Sequence, residues 1–321
     1  MRILIFGGGK FQGQTAAERL VELGHDVTLY NHSFNGIAGA QHIHGERNDY
    51  VATRKLISAH HYDCLIDNLA YSQQDVERLL PVMHERVGHY LLISSFVVYG
   101  HHTALGLVRE EDAPLNSMEG SPYDVGKRQC ELALRETNIS TTWSVLRFAN
   151  IDGPEDPSNR RGFFIDRVAD DGGLLIPNDF IQPFRPLWRN DAAEAVVQAA
   201  TAPKSRAGVY NVAGREVMTV TEWVNLLADV MSRPKPYLAA LSFDEIRRLA
   251  GFDYRLPIPG RPILDTTRIE SELGFRPTPV ERWLPEAVQW WLESGIVSRF
   301  WETRPLEIAA IEKFRRSFGL L

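Results

Sequence analysis

Three side chains in the first half of the chain have the types and spacing for proton transfer at a carbon that bears oxygen: Ser95, Tyr123 and Lys127. The run Tyr123-Asp124-Val125-Gly126-Lys127 follows Pro122, a residue suited to the first turn of a helix. Four residues apart on a helix, a phenol and an ammonium share one face. A free phenol titrates near pH 10, too high for an acid or base at neutral pH, and a neighbouring cation favours the phenolate and lowers that value. Ser95 follows the apolar run Tyr90–Ser94, where its hydroxyl can bond a substrate oxygen and turn it toward the phenol. A tyrosine and a lysine at this spacing also occur on ordinary surface helices, so the argument rests on the set rather than on the pair.

A second cluster lies at the start of the chain. Gly7-Gly8-Gly9-Lys10-Phe11-Gln12-Gly13 sits between an apolar strand, Ile3–Phe6, and a helix, Phe11–Leu23. Glycines let the backbone turn tightly and approach a pyrophosphate, and the following helix N-terminus offers free N–H groups and a positive dipole end. The alternative is a plain tight turn. We read Gly7, Gly9, Lys10, Phe11, Gln12 and Gly13 as a dinucleotide cradle. A positive nicotinamide ring beside Tyr123 would add to the effect of Lys127, which can also hold the ribose hydroxyls. The second strand ends Leu29-Tyr30-Asn31-His32 with no carboxylate to repel a 2′-phosphate, and Lys10, His32 or Arg47 could meet one. The expected cofactor is therefore NADP or NAD, with NADP slightly favoured, since Asn31 can also bond a plain ribose hydroxyl.

These groups need a scaffold. Strands are expected at 3–6, 27–30, 64–70, 90–94 and 142–148, with a short polar one at 41–44. Helices are expected at 11–23, 50–58, 75–86 and 122–136. Continuous apolar strands separated by helices predict an α/β fold: a Rossmann-type doubly wound parallel sheet, covered on both faces. After residue 150 prolines and loops increase. Helices are expected near 191–202, 221–231, 243–250 and 279–294, with a strand at 209–212. Residues 1–150 are read as the dinucleotide domain and 151–321 as a smaller mixed substrate lobe, with segments exchanged between them. The last stretch, 296–321, reads as a helix packed on the body or on a partner subunit.

Bulk properties exclude several functions. The 321 residues carry 35 Lys and Arg against 41 Asp and Glu, a net charge of -6, and no basic tract, so a nucleic-acid partner is not expected. Cys64 and Cys130 fit no metal spacing and read as small core residues, which suits a reducing compartment. His42, His44, His60, His61, His101 and His102 read as solvated rather than as metal ligands, although His101 and His102 could line a substrate mouth. Glu110, Glu111 and Asp112 read as a solvated loop. Trp283, Trp290 and Trp291 read as core or interface rather than as a sugar platform. The strand at residues 2–6 leaves no room for a signal peptide, and no apolar run reaches membrane length, so a cytoplasmic protein is expected.

Together these motifs resemble the extended short-chain dehydrogenases, the NAD-dependent epimerase/dehydratase group. The resemblance is carried by Ser94-Ser95-Phe96-Val97-Val98-Tyr99-Gly100, by Pro122 to Lys127, by Arg147-Phe148-Ala149-Asn150-Ile151-Asp152-Gly153-Pro154 and by Arg185-Pro186-Leu187-Trp188-Arg189-Asn190-Asp191. It implies that Ser95, Tyr123 and Lys127 are catalytic. It places Asn150 and Arg185 on the substrate side, where relatives bind a nucleotide sugar. It runs Asn68-Leu69-Ala70-Tyr71 beneath the nicotinamide ribose, and it implies a homodimer through the helix 122–136. Where the group's dehydratases carry Asp-Glu, this chain has Val97 and Val98, which argues against elimination of water. Lys10 replaces the middle glycine of the turn, as in a divergent branch that includes chloroplast stem-loop RNA-binding proteins. The expected function is an NAD(P)-dependent epimerase or ketoreductase acting on a nucleotide sugar or related polyol. The alternatives are an RNA-binding or regulatory protein, or a dinucleotide sensor without turnover, on the same fold.

Overall fold

A computed structural model describes residues 1–32, 36–100, 106–178, 183–203, 207–251, 254, 262–298 and 300–318. In chain order the first elements are β1 (Arg2–Phe6), α1 (Phe11–Glu22), β2 (Asp26–Asn31), β3 (Gln41–His44), α2 (Tyr50–Ala59), β4 (Cys64–Asp67), α3 (Gln73–Glu77), α4 (Leu80–Arg86) and β5 (His89–Ser95). They continue with β6 (Leu107–Val108), α5 (Pro122–Glu136), β7 (Thr142–Phe148), β8 (Ile151–Asp152), α6 (Gly162–Ala169), β9 (Leu174–Pro177), β10 (Leu187–Trp188), α7 (Arg189–Thr201) and β11 (Val209–Val212). The remainder are α8 (Val220–Val230), β12 (Leu238–Leu241), α9 (Phe243–Ala250), β13 (Ile263–Leu264), α10 (Thr267–Glu272), α11 (Val280–Ser294) and α12 (Arg304–Ser317).

Seven strands form one sheet in the order β11-β7-β5-β4-β1-β2-β3, with every pair parallel. The order runs outward from β1 in both directions, as in a doubly wound Rossmann sheet. Alternation within single strands supplies both faces. Ile3, Ile5, Leu29, Ile66, Leu91 and Leu146 bury one face against α1 and α7. Leu4, Phe6, Leu65, Leu92 and Val145 bury the other beneath Ile57, Val76, Met83, Cys130 and Leu134. Both cysteines are buried, and burial pushes each thiol up, that of Cys130 to about 12, which disfavours the reactive thiolate.

The chain makes two compact units. The first joins Met1–Ile151, Leu187–Arg215 and Arg261–Thr278, and the second joins Asp152–Pro186, Glu216–Gly260 and Pro279–Leu321. Val209–Val212 is thus an edge strand of the large sheet. Within the second unit, β9 pairs with β12, and α12 packs on α9 and β9. Glu307 of α12 there accepts hydrogen bonds from Arg167 Nε at 2.8 Å and from the Tyr254 hydroxyl at 3.3 Å.

Three elements differ from expectation. The helix expected over 75–86 is two helices, because Pro81 cannot donate to the carbonyl of Glu77 and its ring crowds that oxygen; α3 ends at Glu77. The strand expected over 64–70 ends at Asp67, whose carboxylate accepts from Leu69 N–H at 3.0 Å and turns the backbone out of the sheet. The terminal helix begins only at Arg304, after Phe300 with φ +63°.

Candidate active site

The glycine turn has the form the sequence implied. Gly7 has φ +86°, and a Cβ added there would lie 3.2 Å from Asn68 Cβ and 3.3 Å from Leu69 Cγ. A Cβ on Gly13 would lie 3.1 Å from Gly8 Cα, so α1 starts directly against the turn. Lys10 precedes α1 without capping it through its side chain, and the first turn carries no acidic residue. The first-turn amides of α1 therefore face no carboxylate or hydroxyl cap from their own helix, which fits the pyrophosphate of a dinucleotide. Lys10 is exposed, Gln12 half-buried and Phe11 buried with φ +51°. Asn31 is buried, and its Nδ2 donates to Gly7 O at 3.3 Å, so it buttresses the turn. His32 is exposed at the end of β2.

Arg47 is a correction. Its guanidinium is buried and bonded through Nε (3.1 Å) and Nη2 (2.8 Å) to Asp67 Oδ2, and through Nη2 to Asp75 O at 2.6 Å. Such a buried pair cannot be drawn away toward a ribose phosphate without leaving Asp67 uncompensated. Its role is structural: Asp67 also accepts from the buried Tyr90 hydroxyl at 2.9 Å, at the point where β4 hands over to the 68–72 segment.

That segment links the glycine turn to α5. Leu69 lies against Gly7, Ala70 is buried, and Ala70 O accepts from Lys127 Nζ at 2.8 Å. The same ammonium donates to Ile93 O at 2.8 Å, two residues before Ser95 on β5. Asp75 fixes the segment from below by accepting from Tyr71 N–H (2.9 Å), Ser72 N–H (2.8 Å) and the Tyr50 hydroxyl (2.7 Å). Burial works to raise the Asp75 pKa, but these bonds and the nearby Arg47 outweigh it and hold the carboxyl below its ordinary value.

Lys127 is 2% exposed, while the Tyr123 side chain at the open end of α5 is 44% exposed. The Lys127 ammonium lies 4.6 Å from the centroid of the Tyr71 ring and 5.9 Å from that of Tyr123, and the two rings are 6.1 Å apart. Burial lowers the Lys127 pKa, partly offset by Cys130 and by the Asp67, Glu131 and Asp75 carboxylates. α5 starts here because Ser121 caps it by accepting from Asp124 N–H, with Pro122 in its first turn. Gly126 has a reason the sequence did not reveal: a Cβ on it would drive into the carbonyl oxygen of Tyr71. The two serines of β5 divide their work. Ser94 is buried and donates to Glu131 Oε1 at 2.6 Å, whereas Ser95 is half-buried with its Oγ accepting from Val97 N–H at 3.4 Å.

A polar core lies behind this row. Arg147 bonds Glu131 through Nε and Nη2, the Tyr99 hydroxyl at 2.8 Å and Glu110 O at 2.7 Å. Glu110 is a second correction: it is buried, not solvated, and accepts from Asn211 N–H at 2.8 Å. Burial raises its pKa against the pull of that bond. Asn150 is half-buried at the end of β7 in the first unit, and Arg185 is half-buried in the second unit. His44, His60 and His61 are exposed and His42 is half-buried; His101 and His102 lie outside the described residues. Trp283 and Trp291 are buried. Among the described residues no cluster of three or more His, Cys, Asp or Glu is placed to hold a metal, and no helix is long and apolar enough to cross a membrane.

Comparison with known proteins bears on the fold and the family. Over 251 residues the chain is 25% identical to the chloroplast stem-loop binding protein of 41 kDa b of Arabidopsis thaliana; the match takes in 73% of this chain and spans 64% of that relative's length. UDP-glucose 4-epimerase of Thermotoga maritima, solved with UDP-glucose, has a TM-score of 0.70 at 20% identity over 92% of this chain and 99% of its own. UDP-N-acetylglucosamine 4-epimerase of Methanobrevibacter ruminantium M1, solved with UDP-N-acetylmuramic acid, has a TM-score of 0.73 at 20% identity over 91% and 98%. These two share the fold. The NAD dependent epimerase/dehydratase family matches residues 3–213, two-thirds of the chain and all of the glycine turn, the 68–72 segment and the Ser95, Tyr123 and Lys127 row. The chain belongs to that family.

Proposed function

We propose that this protein is an NAD(P)-dependent epimerase or ketoreductase acting on a nucleotide sugar or a related polyol. The observation that carries the reading is the Lys127 ammonium, buried beneath the Tyr71 and Tyr123 rings and anchored to main-chain carbonyls from two different segments. Gly7, Gly9, Lys10, Phe11, Gln12, Gly13, Leu69 and Ala70 would hold the dinucleotide, which supplies hydride transfer at a carbinol carbon when bound. Tyr123 Oη takes the proton of the substrate hydroxyl in one direction and returns it in the other. Lys127 favours the phenolate by its field and is held rigid by its two carbonyl partners. Ser95 Oγ orients the substrate oxygen. Asn150 and Arg185 bind on the substrate side. Val97 and Val98, both buried, offer no acid or base for eliminating water.

With Arg47 committed to Asp67, Lys10 and His32 are the cations that favour a 2′-phosphate. A comparison of NADH and NADPH affinity for wild type and Lys10→Ala measures that preference. The chain is proposed to act as a homodimer, which sedimentation checks.

The test of function is Tyr123→Phe, assayed by proton NMR of UDP-hexoses incubated with the protein and by oxidation of added NADPH or NADH. Turnover should fall by about 10²- to 10⁴-fold with dinucleotide binding retained. Undiminished turnover would remove Tyr123 from the chemistry. An epimerase keeps its dinucleotide through dialysis, and a ketoreductase consumes it. The Arabidopsis relative's name favours one second reading, stem-loop RNA binding. A salt-dependent mobility shift with a stem-loop RNA, unaffected by Tyr123→Phe, would support that reading instead.

A further inference from the structure

Lys127 is an ammonium buried without a carboxylate of its own. It is 2% exposed, and its Nζ donates to Ala70 O and to Ile93 O, both at 2.8 Å. An ammonium has three N–H groups, so two neutral carbonyls leave one unanswered. Asp67, Glu131 and Asp75 act on it from a distance, and each is bonded elsewhere. Asp67, at the end of β4, holds Arg47 and the Tyr90 hydroxyl. Glu131, on α5, holds Arg147 and Ser94. Asp75, on α3, holds the Tyr71 and Ser72 amides and the Tyr50 hydroxyl. The Cys130 thiol donates to Ser72 O at 3.1 Å and, pushed up to about 12, stays neutral. Burial therefore works toward loss of the Lys127 proton.

What else faces the ammonium is aromatic. The Tyr71 ring centroid lies 4.6 Å from Nζ and that of Tyr123 5.9 Å. An aromatic face within about 6 Å attracts a cation, more strongly where the pair is desolvated. The nearer ring is fixed through its main chain. Tyr71 N–H donates to Asp75 at 2.9 Å, and Tyr71 O abuts Gly126, where a Cβ would clash with it. The next carbonyl, of Ser72, takes the Cys130 thiol. Tyr71 is thus clamped to α5 through Gly126 and Cys130, which flank Lys127 in sequence. Its own phenol does not compete for the proton: partial burial, then Tyr123 and the Asp67 and Asp75 carboxylates, raise its pKa.

We propose that Tyr71 is a positioning residue whose ring face holds Lys127 as an ammonium beside Tyr123. This deepens the proposed reaction and rests on the reading of Tyr123 and Lys127 as its acid/base pair. Without the ring, only two carbonyl dipoles oppose the effect of burial, and a neutral amine has no field with which to favour the phenolate.

The experiment uses the full chain. Tyr71→Leu and Tyr71→Met keep apolar bulk and lose the π face, and since Tyr71 is 49% exposed neither opens a closed cavity. The Lys127 proton is titrated by NMR of lysine labelled at Cε, the resonance being assigned by its loss in Lys127→Arg, with circular dichroism reporting the fold at each pH. Both variants should lower the Lys127 midpoint by about one pH unit, the size of a desolvated cation–π contact. Tyr71→Phe, which restores the ring without the hydroxyl, should keep the wild-type midpoint. A midpoint unchanged in the Leu and Met variants would overturn the proposal. So would a raised one, which would mean that the ring only keeps water away, and so would an equal fall in Tyr71→Phe. In the turnover assay the alkaline limb of the pH profile should move down with the midpoint. The titration needs no substrate, so a lowered midpoint alongside undiminished turnover in Tyr123→Phe would sink the acid/base reading and leave the Tyr71 contact standing.

Discussion

Replacing Gly126 by alanine sets two opposing effects against each other. Gly126 lies in α5, between Tyr123 and Lys127, where alanine ordinarily stabilises a helix by about 1 kcal/mol. Here the added Cβ would sit more than an ångström inside ordinary contact with Tyr71 O. That oxygen cannot easily retreat. Asp75 holds the Tyr71 and Ser72 amides at 2.9 and 2.8 Å, and Lys127 holds Ala70 O at 2.8 Å. Overpacking against rigid backbone costs about 3 kcal/mol at the upper end of the usual range. The net expectation is a loss of about 2 kcal/mol. With a urea m-value of about 3 kcal/mol/M, the unfolding midpoint should fall by roughly 0.7 M. Turnover should fall as well, because relief of the clash moves Ala70 O away from Lys127. A midpoint unchanged or raised in Gly126→Ala would show that propensity wins, and that the 68–72 segment does not bear on α5 as described.

Three further outcomes are expected. Glu131→Ala leaves Arg147 buried without its carboxylate and should cost about 3–5 kcal/mol in urea unfolding, whereas a surface pair such as Arg19 with Glu22 should cost less than about 1 kcal/mol. Asp75 is held below its ordinary value of 3.8, so its contribution to stability is present above that pH and is lost as pH falls below it; Asp75→Asn should flatten this part of the acid-unfolding curve. Asp152 has the opposite sign. Burial, only partly countered by Arg161, raises it to about 6, so stability should decline between about pH 4 and 6 as the unfolded chain gives up a proton the folded chain keeps; Asp152→Asn should remove that decline from a thermal-melt series.

The parallel sheet was legible because its strands are short apolar runs, and the tight glycine turn because glycines and helix follow β1 at once. The Tyr123 and Lys127 pair was legible from helical spacing. What escaped depends on partners distant in sequence. Glu110 looks like a solvated acid until Asn211, 101 residues later, supplies its amide, and Arg47 looks available until Asp67 is folded against it. Neither partner has a local signature. The end of β4 was misplaced because Leu69 and Ala70 are apolar enough to extend a strand, while the turning force is a single carboxylate bond from Asp67. The break between α3 and α4 was readable from Pro81, which forbids the helix that apolar periodicity suggests.

The chain leaves its first unit after Ile151 and returns to it twice. A fragment ending at 151 would keep every residue of the Ser95, Tyr123 and Lys127 row and still be an unsound protein. It would lose β11, which pairs with β7 along Val145–Phe148, and with it the Asn211 amide that answers Glu110. A long apolar strand would then stand open at the sheet's margin, a template for self-association. Severing this molecule at the boundary its motifs suggest would yield an aggregate rather than a minimal enzyme.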